Sequence, residues 1–394
     1  MNKNQHIPQG YKSSPLGIIP EDWEVKRLGE IAEITSGTTP LRANRSYYDG
    51  GTIPWVKTTD LNNKELFDTE EYVSEIAVSK TSLKLLPKGT VLVAMYGGFN
   101  QIGRTSILGI EATINQALSA LICNDKVLNF YVLAWLNGRV DDWKNLAASS
   151  RKDPNITGKD VEHFHILVPK KEEQQRIVSV LQLWDTAIEK QTQLVEKLTL
   201  RKRGLMQQLL TGKKRLKGFE GEWKTIELGD VLSYIQPTKY LVVSENYNDT
   251  YNTPVLTAGK TFILGYTNET TGVFDDLPAI IFDDFTTESK YVTFPFKAKS
   301  SAMKILKAHN SNLYFIFCAM QMIKYSIGGH ERHWISKYSH LTLKVPSIEE
   351  QNAIASVLIQ ADQEIEIQKQ KLARLQEQKK GLMQVLLTGK RRVK

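Results

Sequence analysis

Two stretches of this chain are near-copies of each other, and a fold for the whole must accommodate both. The first runs from Val168 to Lys213 and the second from Val345 to Lys390. Each opens with Val-Pro and a Glu-Glu-Gln triplet and closes with Gly-Leu-Met-Gln, one variable residue, then Leu-Leu-Thr-Gly-Lys. Glu172 aligns with Glu349 and Gly212 with Gly389, a constant offset of 177. Steps of four and three pick out Ile177, Leu181, Trp184, Ile188, Gln191, Val195, Leu198, Lys202, Leu205 and Leu209 in the first copy. The second gives Ile354, Leu358, Ala361, Ile365, Gln368, Leu372, Leu375, Lys379, Leu382 and Leu386. That 3.5-residue spacing is a coiled-coil seam. Pro169 and Pro346 lie just upstream, acidic residues fall in the first turn and basic ones at the end, and Gly212 and Gly389 stop each helix. Ser347 and Glu350 form a capping-box pattern, whereas Lys170 takes that place in the first copy. Each helix would run about 40 residues, roughly 60 Å, and two copies in one chain can pair antiparallel where the segment between them spans back. The polar seam residues Gln191, Gln368, Lys202 and Lys379 are expected to fix register.

The duplication reaches beyond the helices. Trp23 with Leu28-Gly29-Glu30-Ile31 opens one globular block, and Trp223 with Leu228-Gly229-Asp230-Val231 opens another. In the first block Val91–Met95, Leu118–Ile122 and Ile166–Val168 read as strands, and Asn129–Leu136 as an apolar helix ended by Gly138. In the second, Ala279–Phe282, Tyr291–Phe294 and Leu341–Val345 read as strands, and Asn312–Ser326 as a helix ended by Gly328-Gly329. The loops that follow differ completely, Ser149–Lys152 in one and His330–Trp334 in the other. Two recognition domains with different targets would look like this.

The chain has 394 residues, enough for two or three domains, and a net charge of +8. Residues 170–217 and the C-terminal repeat together carry more than that whole surplus, so nucleic-acid contact elsewhere requires local basic clusters. Cys123 and Cys318 are far apart, consistent with free thiols in a reducing cytoplasm. No apolar run is long enough to span a bilayer, and the polar start is unlike a signal peptide.

Three patterns invite catalytic readings. Thr257–Thr261 resembles a phosphate-binding loop, but Pro254 stands where that loop needs its first glycine. Asp283, Asp284, Glu288 and Lys290 resemble a metal-dependent nuclease set, for which a surface loop is the plainer reading. His330 and His333 have metal-ligand spacing with no further ligand cluster, so a DNA-facing or packed loop is expected and no metal. Basic and aromatic interleaving is the better lead. Arg42, Asn44, Arg45, Tyr47, Lys57, Tyr96, Asn100, Gln101, Arg104, Arg151 and Lys152 are the DNA-contact candidates of the first block. Lys239, Lys260, Lys290, His330, Arg332 and His333 are those of the second. Arg and Lys can read guanine edges and Asn or Gln adenine, while other basic side chains hold phosphates.

Taken together, the Trp-x4-Leu-Gly openings, the Val-Pro-x2-Glu-Glu-Gln helix starts and the Leu-Leu-Thr-Gly-Lys helix ends resemble the specificity subunit of Type I restriction–modification systems. Gly37–Trp55, Gly109–Gln116, Pro254–Tyr266 and Phe282–Phe296 look like that family's target-recognition sequence. The resemblance implies an α+β (mixed α/β) fold: two target-recognition domains joined by two long antiparallel coiled-coil helices, with an internal pseudo-twofold duplication. The expected divisions are a strap at 1–22, domains at 23–168 and 216–346, and helices at 169–215 and 347–394. It implies a non-catalytic subunit that reads an asymmetric bipartite site in double-stranded DNA. Two methyltransferase subunits would dock on it, and restriction–translocation subunits would join that core. S-adenosylmethionine, ATP and magnesium would belong to those partners, with no cofactor on this chain. The alternatives are the specificity subunit of a related bipartite-site system, either Type IIB-like or an orphan methyltransferase, and a coiled-coil scaffold that never touches DNA.

Overall fold

Each long repeat folds as a single helix of 39 residues, Lys171–Leu209 and Ile348–Leu386, about 58 Å at about 1.5 Å per residue. The computed structural model describes residues 7–148, 155–259, 261–325 and 332–393. Every seam position of both helices is buried or half-buried, as the 3.5-residue spacing requires. The chain divides into two compact units, Met1–Lys190 with Leu372–Lys394, and Gln191–Lys371. Within the second unit Gln191 meets Gln368 and Lys202 meets Asp362, so the two helix segments run antiparallel there.

Both units use one frame. In the first, antiparallel strands Ala32–Ser36, Leu118–Cys123, Val91–Ala94 and Thr105–Leu108 lie in that order, and Glu65–Leu66 adds a fifth strand parallel to the last. In the second, the order is Leu232–Ile235, Met303–Ala308, Ala279–Asp283 and Ser289–Val292, all antiparallel. Each unit also has a three-stranded sheet and a strand pair that ties the block's opening to the strand before its long helix. Those pairs are Glu24–Arg27 with His165–Val168, and Lys224–Glu227 with Thr342–Val345. The central strands Val91–Ala94 and Ala279–Asp283 carry the apolar runs Val-Leu-Val-Ala and Ala-Ile-Ile-Phe because both their faces are covered. In the first unit Trp23, Trp135 and Trp143 pack with Ile177 and Leu181 of the first long helix and with Leu386 of the second. In the second, Phe282, Phe315 and Trp334 pack with Met206 and Leu209 of the first helix and with Ile354 and Leu358 of the second.

The Glu-Glu-Gln triplet acquires a physical role here. Gln174 lies buried at the first helix start, where its Nε2 donates to the Pro169 carbonyl at 2.9 Å and the Lys126 carbonyl at 3.1 Å. Its Oε1 accepts the Leu128 N–H at 2.8 Å, at the cap of the helix Asn129–Asn137. Gln351 repeats this with the Pro346 carbonyl at 3.0 Å and the Asn312 N–H at 3.0 Å, the cap of the helix Leu313–Met320. Each glutamine staples a long helix to the short apolar helix beside it. At the far ends Gly212 and Gly389 both take φ of 69°, the left-handed cap that glycine favours.

Four local expectations differ from what is seen. The second apolar helix ends at Met320 rather than Ser326, because Met322 and Ile323 donate to carbonyls three residues back and tighten the chain into turns; Gly328 and Gly329 lie outside the described residues. The strand expected at Tyr291–Phe294 is Ser289–Val292, in register with Ala279–Phe282. Neither long helix has a basic residue in its last turn, because Lys213 and Lys390 follow the capping glycine. Only half of the capping box forms. The Glu350 N–H reaches Ser347 Oγ at 3.5 Å, but the Glu350 carboxylate is bound by Arg215.

Candidate nucleic-acid interface

The loop of the first domain that follows Pro40 is built around Arg42. Its guanidinium lies 4.7 Å from the Tyr48 ring centroid and 4.9 Å from that of Trp55, and 2.7 Å from Glu71. Lys57 Nζ takes the other Glu71 oxygen at 2.7 Å. Arg42 first, and Lys57 with it, hold the Glu71 carboxyl below the usual carboxylate range against the opposing effect of burial. Two DNA-contact candidates are thus paired within the domain, although half of the Arg42 side chain stays exposed. Next in the chain, Asn44 caps a short turn by accepting from Ser46 N–H and Oγ at 3.2 and 2.7 Å. That turn exposes Arg45 to solvent with no ion pair among the described residues, while Tyr47 packs inward. Among the described residues, Arg45 is the cation of this loop that makes no ion pair.

A second loop of this domain, Tyr96 to Arg104, turns through Gly97 and Gly98, both at positive φ. A Cβ at Gly97 would approach Thr58 Oγ1 to 3.2 Å, so the turn needs glycine there for space as well as conformation. Phe99 and Asn100 project at the tip, and Tyr96 is half-buried at its base, where burial raises its phenol pKa. Arg104 does not face outward; it donates to Gln101 Oε1 at 2.7 Å and to the Leu61 carbonyl, bracing the turn.

In the second domain Lys239 and Arg332 are exposed, and Lys290 is half-buried at a cavity of about 370 Å³ shared with Tyr325 and Tyr338. None of these three forms an ion pair among the described residues. His333 is fully buried, its Nδ1 3.2 Å from the Tyr325 hydroxyl, which corrects the surface reading for this residue. The packing of Trp334 and Tyr338 around Phe282 draws it inside. Arg151, Lys152, Lys260 and His330 lie outside the described residues. The described residues of the phosphate-loop pattern, 257–259 and 261, lie between the antiparallel strands Thr253–Leu256 and Ile263–Thr267 and form no helix to cradle a phosphate. The nuclease pattern also comes apart. Asp283 Oδ1 accepts the Phe285 and Thr286 N–H groups in a turn, while Asp284 is buried toward Lys304.

The seam residues meet in reciprocal fashion. Gln191 Nε2 donates to Gln368 Oε1 at 2.9 Å and to the Gln368 carbonyl at 3.1 Å. Lys202 pairs with Asp362 in the second unit, and Lys379 with Asp185 in the first, which are equivalent positions of the two repeats. A second matched pair was missed by sequence reasoning. Glu350 is buried under the fork of Arg215, at 2.6 and 2.5 Å, and Glu173 under that of Arg392, at 2.5 and 2.7 Å. Arg392 also grips Asp22, with both contacts at 2.9 Å. The signal was present, since Arg215 and Arg392 each stand three residues past the capping glycine.

One frame built twice, carrying loops of different chemistry at the same strand ends, defines a duplicated two-domain recognition protein. A family model for the Type I restriction modification DNA specificity domain matches residues 20–199 and again 220–377. The chain belongs to that family. It is 50% identical over 140 residues to a Type I restriction enzyme specificity subunit of Escherichia coli, an alignment spanning 34% of each chain. To one such subunit of Methanocaldococcus jannaschii it is 32% identical over 197 residues, covering 48% of this chain and 45% of that one. A putative second subunit from the same archaeon is 25% identical over 427 residues, covering 98% and 97%. This chain therefore aligns with about a third and somewhat under half of the first two relatives. The crystal structure of the S subunit from M. genitalium shares the fold, with a TM-score of 0.61 at 16% identity over 93% of this chain and 96% of that one. Among the described residues no helix is long and apolar enough to cross a membrane.

Proposed function

We propose that this chain is the DNA-reading subunit of a Type I restriction–modification complex, in which each domain reads one half of an asymmetric bipartite target. The observation that carries the reading is the divergence of surface chemistry on a shared frame. Arg45, Phe99 and Asn100 are presented by the first domain, and Lys239, Lys290 and Arg332 by the second. Two unlike reading surfaces on like frames favour two unlike half-sites. The antiparallel helix pair sets the spacing between half-sites, and its register is held by Gln191 with Gln368 and by the two Lys–Asp pairs. The same helix start and helix end recur in each unit, which suits two copies of one methyltransferase subunit. Restriction–translocation subunits join through that methyltransferase core. Methyl transfer and ATP-driven cleavage lie in those partners, which supply S-adenosylmethionine, ATP and magnesium, and the chain itself catalyses nothing. Co-expression with its methyltransferase subunit in a methylation-free host, followed by methylome sequencing, tests this. One split, non-palindromic motif with a fixed gap is expected; an unbroken motif, or none, refutes the reading.

A further inference from the structure

The two frames can be superposed residue by residue through their backbone bonds. In the first domain the Met95 N–H donates to the Ala117 carbonyl at 2.9 Å, and the Met95 carbonyl accepts the Ile156 N–H at 2.8 Å. In the second, the Asp284 N–H donates to the Ala302 carbonyl at 3.1 Å, and the Asp284 carbonyl accepts the His333 N–H at 2.9 Å. Two residues past the alanines, Ser119 pairs with Val93 and Lys304 with Phe282, in the same register. Met95, Ser119 and Ile156 of the first domain thus stand where the second has Asp284, Lys304 and His333. All six side chains are buried.

An acid, an amine and an imidazole are an expensive replacement for a methionine, a serine and an isoleucine. Lys304 Nζ sits 3.6 Å from Asp284 Oδ2, and neither atom has a hydrogen-bond partner among the described residues; nor has His333 Nε2. Buried ion pairs of this kind are commonly neutral or worse for stability than apolar residues filling the same space. The first domain shows that this frame folds without them. Stability alone does not explain the charges, so their placement matters. Asp284 Oδ1 accepts the Trp334 N–H at 2.8 Å, which ties the helix His333–Ser336 to the end of the strand Ala279–Asp283. On the other side of Asp284 the chain turns sharply, with Thr287 at φ 58°, a strained conformation for a β-branched residue, and Phe285 partly exposed at the tip.

We propose that Asp284 and Lys304, with His333, are positioning residues that lock the turn at 284–288 to the helix His333–Ser336 and so aim Phe285, Lys290 and Arg332 at the second half-site. The proposal rests on the two-half-site reading above. Binding to the target, and to targets with one or the other half scrambled, is measured for the complex of the full chain with its methyltransferase subunit. Asp284→Asn keeps an acceptor for the Trp334 N–H but strands the Lys304 charge. It should lower discrimination at one half-site by about tenfold or more and leave the other unchanged. A triple variant, Asp284→Asn with Lys304→Met and His333→Ile, keeps the acceptor for the Trp334 N–H and removes the buried charges, and should hold or raise the melting temperature while losing discrimination at that same half. Full discrimination at both halves in the triple variant overturns the proposal. So does loss at both halves together with a lower melting temperature, since that marks a role in folding alone. If the wild-type complex fails to distinguish scrambled halves at all, the two-half-site reading has failed and this inference falls with it.

Discussion

Arg392 shows how much of the first unit depends on single side chains. It bridges the buried Glu173 and the exposed Asp22, close to where Tyr11 donates to the Gly389 carbonyl at 3.0 Å. Among the described residues, Arg392→Met leaves the Glu173 carboxylate with the Trp23 indole N–H as its remaining side-chain donor. The expected loss is about 2 kcal/mol, below the roughly 3–5 kcal/mol of stranding a fully buried charge because the Asp22 side of the clamp is solvated. Urea unfolding of the two proteins measures it. Arg392 holds the Asp22 carboxyl below its usual range. This depressed pKa contributes stability that is complete above about pH 4 and disappears as pH falls through the folded value. The wild type's advantage over Arg392→Met should therefore be greatest near neutral pH and shrink on acidification, as Asp22 and, in the variant, the stranded Glu173 take up protons. An advantage that grew on acidification would show that the clamp is not the source. Arg45 makes a contrasting prediction. Its side chain is free and exposed, so Arg45→Ala should change stability by no more than about 0.5 kcal/mol, checked by the same unfolding measurement. It should nevertheless weaken DNA binding by the complex about tenfold.

At the level of elements, the long helices were legible because their code is local. Periodicity, prolines and glycines mark their limits to within a few residues, and all twenty seam positions turn inward. Register adds a test. Gln191→Leu alone leaves the Gln368 amide without its partner in a half-apolar seam, and should cost about 1–2 kcal/mol in chemical denaturation. Gln191→Leu with Gln368→Leu should recover that loss or exceed it, because an apolar seam is stronger though less particular about alignment. If the double variant were as weak as the single, the amide pair would not be a register device. The short elements were less legible. The helix Leu313–Met320 stops early although Met322 and Ile323 are apolar, since those side chains serve the core from a turn. Which charged side chains reach solvent was not legible either. Arg42, Lys57 and Arg104 differ from Arg45 through Glu71, Gln101 and the Leu61 carbonyl, partners 3 to 43 residues away in sequence. His333 is buried by contacts with a strand some fifty residues earlier. Local spacing carries none of this.

For the whole molecule, duplication is the organising fact, and it makes the domains separable in experiment. Inserting about four residues into the first long helix near Gln191 should alter the gap between half-sites, or abolish assembly, without changing either half. The most direct test of the account exchanges residues 23–166 for the equivalent block of another member of the family, expresses the chimera with its methyltransferase subunit, and sequences the methylome. One half of the motif should change to that of the donor, while the other half and the gap between them stay the same. A motif changed in both halves, or in neither, would contradict the claim that each domain reads its own half of the site.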